Sequence, residues 1–346
     1  MSKKPRVLVF AGAGASYAVS SEKYPTTVGF VDRLPADLKD HRLIAHLSRN
    51  FEQKFGDKTP DVEKILWCLD ELYSYLSSAF EPSHPASWLI PNNSLPALVD
   101  HPNGSVSGYA AVAKTGRRVV GELRSRINSC IYEIYGNQPD KSETHENWGA
   151  LLPELLELGY WVDLVTTNYD LVIESTIDDL ELDIGYGQRR GAVTRLDLNV
   201  WKSIIRDESL PKSSGLVTKL HGSLNWERDG QAIAFSGVQF KSDHRHHAAI
   251  YPGFKGVPTD SPFDLFHDYF ERALQSCEVV LFIGFAFRDE YINDLIRRAP
   301  SRQRYIVIDP SSLDKLPAAI SGRVHHITRG FDRSACSEVV EILSAR

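Results

Sequence analysis

Residues 6–16 have the sequence RVLVFAGAGAS. The apolar run at its start predicts a buried β-strand over 6–10, because strands of a parallel sheet are covered on both faces and are apolar throughout. Gly12 and Gly14 predict a tight turn directly after this strand, where bare backbone N–H groups can approach a pyrophosphate. This segment is therefore either a nucleotide-binding loop or only a close turn, and by itself it does not distinguish the two.

The loop departs from the ordinary dinucleotide fingerprint. That fingerprint has a third glycine where Tyr17 stands, and an acidic ribose ligand at the end of a second strand. Asp32 lies at the right distance, but residues 20–27 do not have the sequence of a strand. A standard dehydrogenase is therefore disfavoured.

Further short apolar runs recur along the chain, and amphipathic helical stretches lie between several of them. The predicted strands are 6–10, 161–165, 216–220, 279–284, 305–308 and 324–328. Helices are predicted at 263–276 and 290–298, on either side of the strand at 279–284. This β-α-β order predicts an α/β fold with a Rossmann-like, doubly wound parallel sheet.

A helical region interrupts this order. Three helices are predicted at 43–55, 62–80 and 109–135, with a loop rich in Pro, Asn and Ser at 82–108. A chain of 346 residues also exceeds the roughly 250–300 that one hydrophobic core usually supports. We therefore expect a helical insertion at 35–147, and one Rossmann domain built from 1–34 and 148–346.

Composition excludes several classes of protein. The 39 basic and 45 acidic residues give a net charge of −6, so the chain as a whole lacks the basic character of a nucleic-acid binder. The longest apolar run, 279–287, is about half a membrane span. The basic and apolar start resembles a signal peptide, but two glycines break the run, and a strand is the better interpretation. We expect a cytoplasmic protein that contacts neither membrane nor nucleic acid directly.

No metal site is expected. The four cysteines, Cys68, Cys130, Cys277 and Cys336, form no CxxC pair that could begin a zinc ribbon. The polar segment 227–260 holds Asp243-His244-Arg245-His246-His247, which is either a metal site or a solvated loop. We favour the solvated loop, because no matched carboxylate or cysteine spacing accompanies the histidines.

Four more motifs lie at predicted strand ends, which in open α/β sheets is where ligands bind. In VTTNYD (165–170), Asn168 and Asp170 either bind a ligand or cap the next helix. In KLHGSLNW (219–226), His221 is either structural or a general base. The segments FIGFAFRD (282–289) and IVIDP (306–310) supply Gly284 and Asp309, which serve either in turns or in contacts with a nucleotide.

In this order and spacing, the five motifs resemble those of the sirtuin family, over residues 5–34 and about 160–330. The resemblance implies NAD as substrate. It implies phosphate binding by Gly12, Ala13 and Gly14, handling of the nicotinamide ribose by Asn168, and a base role for His221. Adenosine contacts are implied near Gly284 and Asp309. Three further residues of the same motifs complete the expected nucleotide-binding set: Ser16, Asp170 and Phe285.

The chain also departs from the sirtuin deacylases. They carry a four-cysteine zinc ribbon after His-Gly, whereas no cysteine lies between His221 and Cys277 here. Where they have Gly-Ile-Pro-Asp-Phe-Arg, residues 24–30 are YPTTVGF, and Thr167 and Tyr169 replace a glutamine and an isoleucine. The chain is more similar to the zinc-less bacterial sirtuin-like NAD hydrolases of antiphage systems.

The resemblance predicts an NAD hydrolase that releases ADP-ribose and nicotinamide, with NAD depletion in antiphage defence as its role. Nicotinamide leaves as a neutral base from a cationic linkage, so one base and a polar clamp can suffice. The alternatives are an NAD-dependent protein deacylase and a non-catalytic sensor of NAD or ADP-ribose. Control is expected through homo-oligomers, with 35–147 as the interface, or through a HerA-like ATPase or another co-encoded defence protein.

Two expectations follow for the catalytic pair. Replacing Asn168 or His221 is expected to leave the fold intact, because both residues lie at strand ends rather than in the core. A base role for His221 predicts activity that falls below the ordinary imidazole pKa of about 6.5.

Overall fold

The computed structural model describes residues 4–56, 61–78, 81, 83–90, 109–186, 188–189, 194–207, 210–229, 232–235, 247–249, 261–311 and 316–345. The chain divides into two compact units. The first comprises the described residues of Met1–Tyr24, Tyr135–Ile250 and Gly256–Arg346, and the second those of Pro25–Ile134. The expected limits of the helical insertion, residues 35 and 147, stay a prediction.

All of the described strands belong to the first unit. They are β1 (Arg6–Ala11), β2 (Trp161–Thr166), β3 (Ile184–Gly185), β4 (Gln188–Arg189), β5 (Arg195–Leu196), β6 (Gly215–Lys219), β7 (Gly222–Asp229), β8 (Ala232–Phe235), β9 (His247–Ala249), β10 (Val279–Ile283), β11 (Arg304–Ile308) and β12 (Val324–Ile327).

The described α-helices are distributed over both units. They are α1 (Ala13–Val19), α2 (Thr27–Asp32), α3 (Ala36–Lys39), α4 (Arg42–Phe55), α5 (Val62–Ser77), α6 (Tyr109–Tyr135), α7 (Lys141–His145), α8 (Trp148–Glu157), α9 (Val172–Asp179), α10 (Asn199–Asp207), α11 (Phe263–Ser276), α12 (Glu290–Arg298), α13 (Ala318–Ser321) and α14 (Arg333–Ser344). A short 3₁₀ helix spans Ser87–Leu89.

A seven-stranded parallel sheet forms the centre of the first unit, in the order β12-β11-β10-β1-β2-β6-β3. All six residues of β1 are buried, which is why this strand is apolar along nearly its whole length. The chain leaves β1 toward β2 and later returns to β1's other side with β10, so the strand order reverses there. This arrangement confirms the predicted Rossmann-like α/β fold, and such a reversal is where ligands bind in these sheets.

The parallel strands bring five motifs to one edge of the sheet. Strands β1, β2, β6, β10 and β11 end there, at Ala11, Thr166, Lys219, Ile283 and Ile308. We call this the carboxyl edge. Each predicted site residue lies within a few positions of one of these strand ends, because parallel strands all point in the same direction.

A second sheet was not predicted. Five short antiparallel strands pair in the order β4-β5-β8-β7-β9. Part of the segment expected to be a polar loop, 227–260, thus belongs to strands, including the last three residues of β7 and all of β8. Asp243, His244, Arg245 and His246 of the histidine cluster lie outside the described residues, and His247 begins β9.

The second unit is helical among its described residues. Helix α4 buries one face through Leu43, Leu47 and Phe51, while α5 begins at the cap Asp61, whose carboxylate accepts the N–H of Lys64 at 3.0 Å. Trp67 of α5 contacts Phe51 edge-on, with ring centroids 6.3 Å apart. These apolar faces pack against one another, so the helices form a core of their own.

Candidate active site

The glycine-rich loop is packed directly against the turn that follows β10. The Gly12 N–H donates to the Ile283 carbonyl at 2.9 Å, and the Gly14 N–H donates to the Gly284 carbonyl at 3.0 Å. A Cβ atom at Gly12 would lie 2.5 Å from the Gly284 oxygen, and one at Gly14 would lie 2.7 Å from the Gly284 Cα. Glycine is therefore required here for backbone-to-backbone contact between two loops, whatever the loop binds.

The hydrogen bonds of the loop bear on its predicted role in phosphate binding. The N–H groups of Gly12 and Gly14 both donate to backbone carbonyls, so neither is free to bind a phosphate in this arrangement. Ala13 is the first residue of α1, and Ser16 is buried on the same helix. Phosphate binding by Gly12, Ala13 and Gly14 stays a prediction.

Asn168 is held at the carboxyl edge by contacts with the loop after β1. Its side-chain nitrogen Nδ2 donates to the Gly12 carbonyl at 2.9 Å and to the Ser16 hydroxyl at 2.9 Å. Its backbone N–H donates to the Thr166 hydroxyl at 3.0 Å, and that hydroxyl donates to the Ala11 carbonyl at 2.8 Å. These bonds bring the first two motifs together and orient the carboxamide.

Asp170 caps the helix that follows. It is buried, and its carboxylate accepts the N–H of Val172, the first residue of α9, at 3.1 Å. Burial raises the pKa of Asp170, while the charge of Lys219 and hydrogen bonds from Ser16 and the Val172 amide act in the opposite sense. The capping interpretation is therefore observed, and a role for Asp170 in nucleotide binding stays a prediction.

His221 lies in the turn between β6 and β7, and it is only 4% exposed. Gly222 follows with φ of +86°, a backbone conformation that favours glycine. The Leu220 N–H donates to the Thr166 carbonyl at 2.9 Å, so the segments of His221 and Asn168 leave adjacent strands side by side. The expectation that His221 lies outside the core is wrong, because the surrounding elements cover it.

The burial of His221 changes its acid–base behaviour. Loss of solvation lowers its pKa to about 3, while a hydrogen bond with the Thr167 backbone acts in the opposite sense. Ring atom Nδ1 has no hydrogen-bond partner among the described residues. A pKa of about 3 keeps the imidazole neutral throughout the physiological range, so a base role for His221 predicts that activity falls only well below pH 6.5.

The remaining predicted residues lie at the ends of β10 and β11. Gly284 has a φ of +56°, and its carbonyl accepts the N–H of Gly14 from the glycine-rich loop. The Phe285 ring packs against Phe10 at a centroid distance of 4.7 Å and is buried, so its side chain serves the core. Asp309 accepts hydrogen bonds from the Ser311 amide and hydroxyl, which is the turn interpretation. Nucleotide contacts of these three residues stay predictions.

Comparison with known proteins locates a family resemblance in this region. Residues 162–319 match the family model described as the SIR2-like domain. This segment is similar to the SIR2-like domain. It is somewhat under half of the chain, and it carries Asn168, His221 and Gly284 but not the loop of Gly12. The match supports a sirtuin-like relationship.

Solved structures with similar folds include two Sir2 homologues. One is a Sir2 homologue–NAD complex, with 14% sequence identity, a TM-score of 0.43, and coverage of 99% of this chain and 91% of that chain. Another is a mutant Sir2 homologue in complex with ADP-ribose, with 14% identity, a TM-score of 0.45, and coverage of 99% and 93%. No curated protein matches the chain.

The SIR2-like segment also contains a buried lysine that received no role from the sequence. Lys219, the last residue of β6, is 1% exposed, and its ammonium is 2.8 Å from Glu174 Oε1. It stands two positions before His221 in the KLHG motif. The signal available in the sequence was a lysine at the end of a predicted buried strand, because a buried charge requires ion-pair or hydrogen-bond partners.

His267 is a second functional candidate that sequence reasoning missed. It lies on α11 and is 3% exposed. Burial lowers the pKa of His267 to about 4, and the neighbouring His221 lowers it further, while Asp289 and a hydrogen bond with the Leu220 backbone act in the opposite sense. Its position on the apolar stripe of α11, between Phe263 and Phe270, was the only signal.

Neither a metal centre nor a membrane span is found among the residues that the structure describes. No group of three or more His, Cys, Asp or Glu side chains there could hold a metal ion. No helix in the same part of the chain is both long and apolar enough to cross a bilayer.

Proposed function

We propose that the chain is an NAD-cleaving enzyme that hydrolyses the bond between nicotinamide and ribose, with Asn168 and His221 as its catalytic pair. The observation that carries the proposal is that the loop of Gly12, Asn168 and His221 follow the neighbouring strands β1, β2 and β6 at the carboxyl edge. The SIR2-like match over 162–319 supports it further. The unprotonated imidazole of His221 can accept a proton and the reaction needs no strong acid, but the lowered pKa makes His221 a weaker base than an ordinary histidine.

Asn168 and His221 have separate roles in the proposed reaction. Asn168, held through Nδ2, has its carboxamide oxygen left to orient a ribose hydroxyl or the attacking water. Water attacks the anomeric carbon, the bond to nicotinamide breaks with its electron pair, and ADP-ribose forms. The proton released from that water passes to His221, whose pKa of about 3 keeps it unprotonated beforehand. The low polarity around His221 also limits competing solvent.

The product assay separates this proposal from its alternatives. Purified protein is incubated with NAD, with and without an acyl-lysine peptide, and products are identified by mass spectrometry. ADP-ribose and nicotinamide are expected without peptide. Product formation that requires the peptide and yields O-acyl-ADP-ribose would identify a deacylase instead. Binding of NAD without turnover would identify a sensor and refute hydrolysis.

We further propose that the enzyme acts in the cytoplasm in bacterial antiphage defence by depleting NAD, and that assembly or a co-encoded partner such as a HerA-like ATPase restrains it. An unrestrained NAD hydrolase would exhaust its own cell. The helical unit is the proposed interface, and Tyr73 on α5 is 46% exposed there. The sirtuin resemblance supports the defence role.

Self-association is tested on the protein alone. We expect light scattering at several concentrations to show an oligomer, and turnover measured on the same samples to change with its fraction. Tyr73→Asp is expected to shift the equilibrium toward smaller species, whereas Tyr17→Asp, at a similarly exposed tyrosine on α1, is the matched control. A monomer whose activity is the same at every concentration, and unaffected by any co-encoded partner, would refute control by assembly.

A further inference from the structure

Lys219 carries a buried ammonium group that the proposed reaction does not use. Its Nζ donates to Glu174 Oε1 at 2.8 Å, to the Ser223 hydroxyl at 2.9 Å and to the Tyr169 carbonyl at 3.4 Å, and it also donates to the Asp170 carbonyl. The Ser223 hydroxyl in turn donates to Glu174 Oε1 at 3.1 Å. Such full pairing is what a charge in this environment requires.

These partners come from three separate elements of the fold. Tyr169 and Asp170 follow Asn168 in the loop after β2, Glu174 lies on α9, and Ser223 is in β7. The Leu224 N–H adds a bond to the Tyr169 carbonyl at 3.0 Å. Lys219 thus sits where the segment of Asn168 meets the segment of His221.

We propose that Lys219, together with Glu174 and Ser223, is a positioning centre that sets the distance between Asn168 and His221; this inference rests on the proposed function. His221 lies between Lys219 and Ser223 in sequence, so both of its flanks are tied to one ammonium. The same ammonium holds the two carbonyls directly after Asn168. A shift of this nitrogen moves both catalytic segments relative to one another.

Stability alone does not account for this arrangement. Replacing a buried ion pair by apolar side chains of similar volume is often neutral or stabilising, because desolvation of the two charges offsets their attraction. Because the Nζ of Lys219 donates to two backbone carbonyls of one loop, it holds that loop in position as well as supplying a charge. An apolar residue at position 219 would not hold this loop in position.

The test removes the Lys219 ammonium and the carboxylate of its ion pair together. The double variant Lys219→Met/Glu174→Gln is expected to fold, and to lower kcat for NAD cleavage by about 100-fold with KM changed less than about threefold, since misplacement by about 1 Å can cost that much. The matched control is Asp163→Asn, which breaks the buried Arg6–Asp163 pair within the same sheet. It is expected to lower stability and leave kcat unchanged.

A second readout does not need turnover. In ¹⁵N-labelled protein, the ring signals of His221 are expected to shift in the double variant and to stay in place in Asp163→Asn. If the double variant does not fold, Ser223→Ala takes its place as a smaller change. It is expected to shift the His221 ring signals in the same direction. If the wild-type protein does not cleave NAD, the proposed function is refuted and the positioning role is still tested by the His221 signals. Unmoved His221 signals, or a double variant with near-normal kcat, would refute the positioning role.

Discussion

Asn168→Ala and His221→Ala are each expected to lower kcat for NAD cleavage by about 10² to 10⁴-fold, the usual effect of removing a positioned polar or basic group. Asn168 is partly exposed, and its loss removes two hydrogen bonds to the loop after β1. Circular dichroism of Asn168→Ala should match that of the wild type. The matched control is His145→Ala, at a side chain that is 64% exposed and that is not among the predicted site residues.

The two variants are expected to differ in stability. His221 is buried, so truncating it leaves a cavity and should lower the unfolding free energy by about 1–3 kcal/mol, whereas Asn168→Ala should lower it less. Activity must therefore be compared on folded protein, well below each unfolding midpoint. A variant that is folded and turns over NAD at a near-normal rate would show that its residue has another role.

The pH profile of the wild type tests the base role of His221 separately. Because its pKa is lowered to about 3, the base is unprotonated from pH 5 to 8, and turnover limited by chemistry should be level across that range. A fall centred near pH 6.5 would mean that the imidazole titrates at its ordinary value. The buried, neutral histidine described here would then not be the base.

Acidification is expected to destabilise the protein through its two buried histidines. Their pKa values, about 3 for His221 and about 4 for His267, lie below the roughly 6.5 of an unfolded chain. Between these values the unfolded state binds more protons than the folded state, so stability falls as pH falls. At pH 5 each histidine should cost on the order of 2 kcal/mol relative to pH 7.5.

The variant His267→Phe isolates this effect. Phenylalanine keeps an aromatic ring beside Tyr291, whose centroid is 5.1 Å from that of His267, but it does not titrate. Urea unfolding at pH 7.5 and 5.0 should show a loss for wild type that exceeds the variant's loss by about 2 kcal/mol. Burial raises the pKa values of Asp170 and Asp289, which act in the opposite direction in both proteins.

The control for this comparison is His145→Gln, which removes an exposed histidine and should leave the pH dependence of the wild type unchanged. Equal losses on acidification in wild type and His267→Phe would contradict the prediction. Such a result would mean that the His267 ring is solvated, or paired with an acceptor, in the folded protein.

Local patterns in the sequence were enough to place six of the seven strands of the parallel sheet. Each of the six predicted strands is present within one residue of its expected limits, and the helices at 263–276 and 290–298 have the predicted bounds. Continuous apolar runs identify buried strands because both faces of a parallel sheet are covered. Once the strand order makes the sheet parallel, motifs that follow strands must meet at one edge.

The antiparallel sheet could not be placed in the same way. Its strands are short, two of them having two residues each, and β5 pairs with β8 across a long separation in the chain. A two-residue strand carries no periodicity. Its existence depends on a partner strand supplied by another part of the fold.

What the sequence determined by itself was the positions of the strands, the order of the five motifs and the residues that each motif presents. Only the tertiary structure decided the environment of those residues: a His221 that is buried and neutral, a His267 that lies beside it, and a Lys219 with acceptors from three elements. The reason is physical. The long buried strands follow from neighbours along the chain, whereas short strand pairings, burial, hydrogen bonding and pKa follow from neighbours in space.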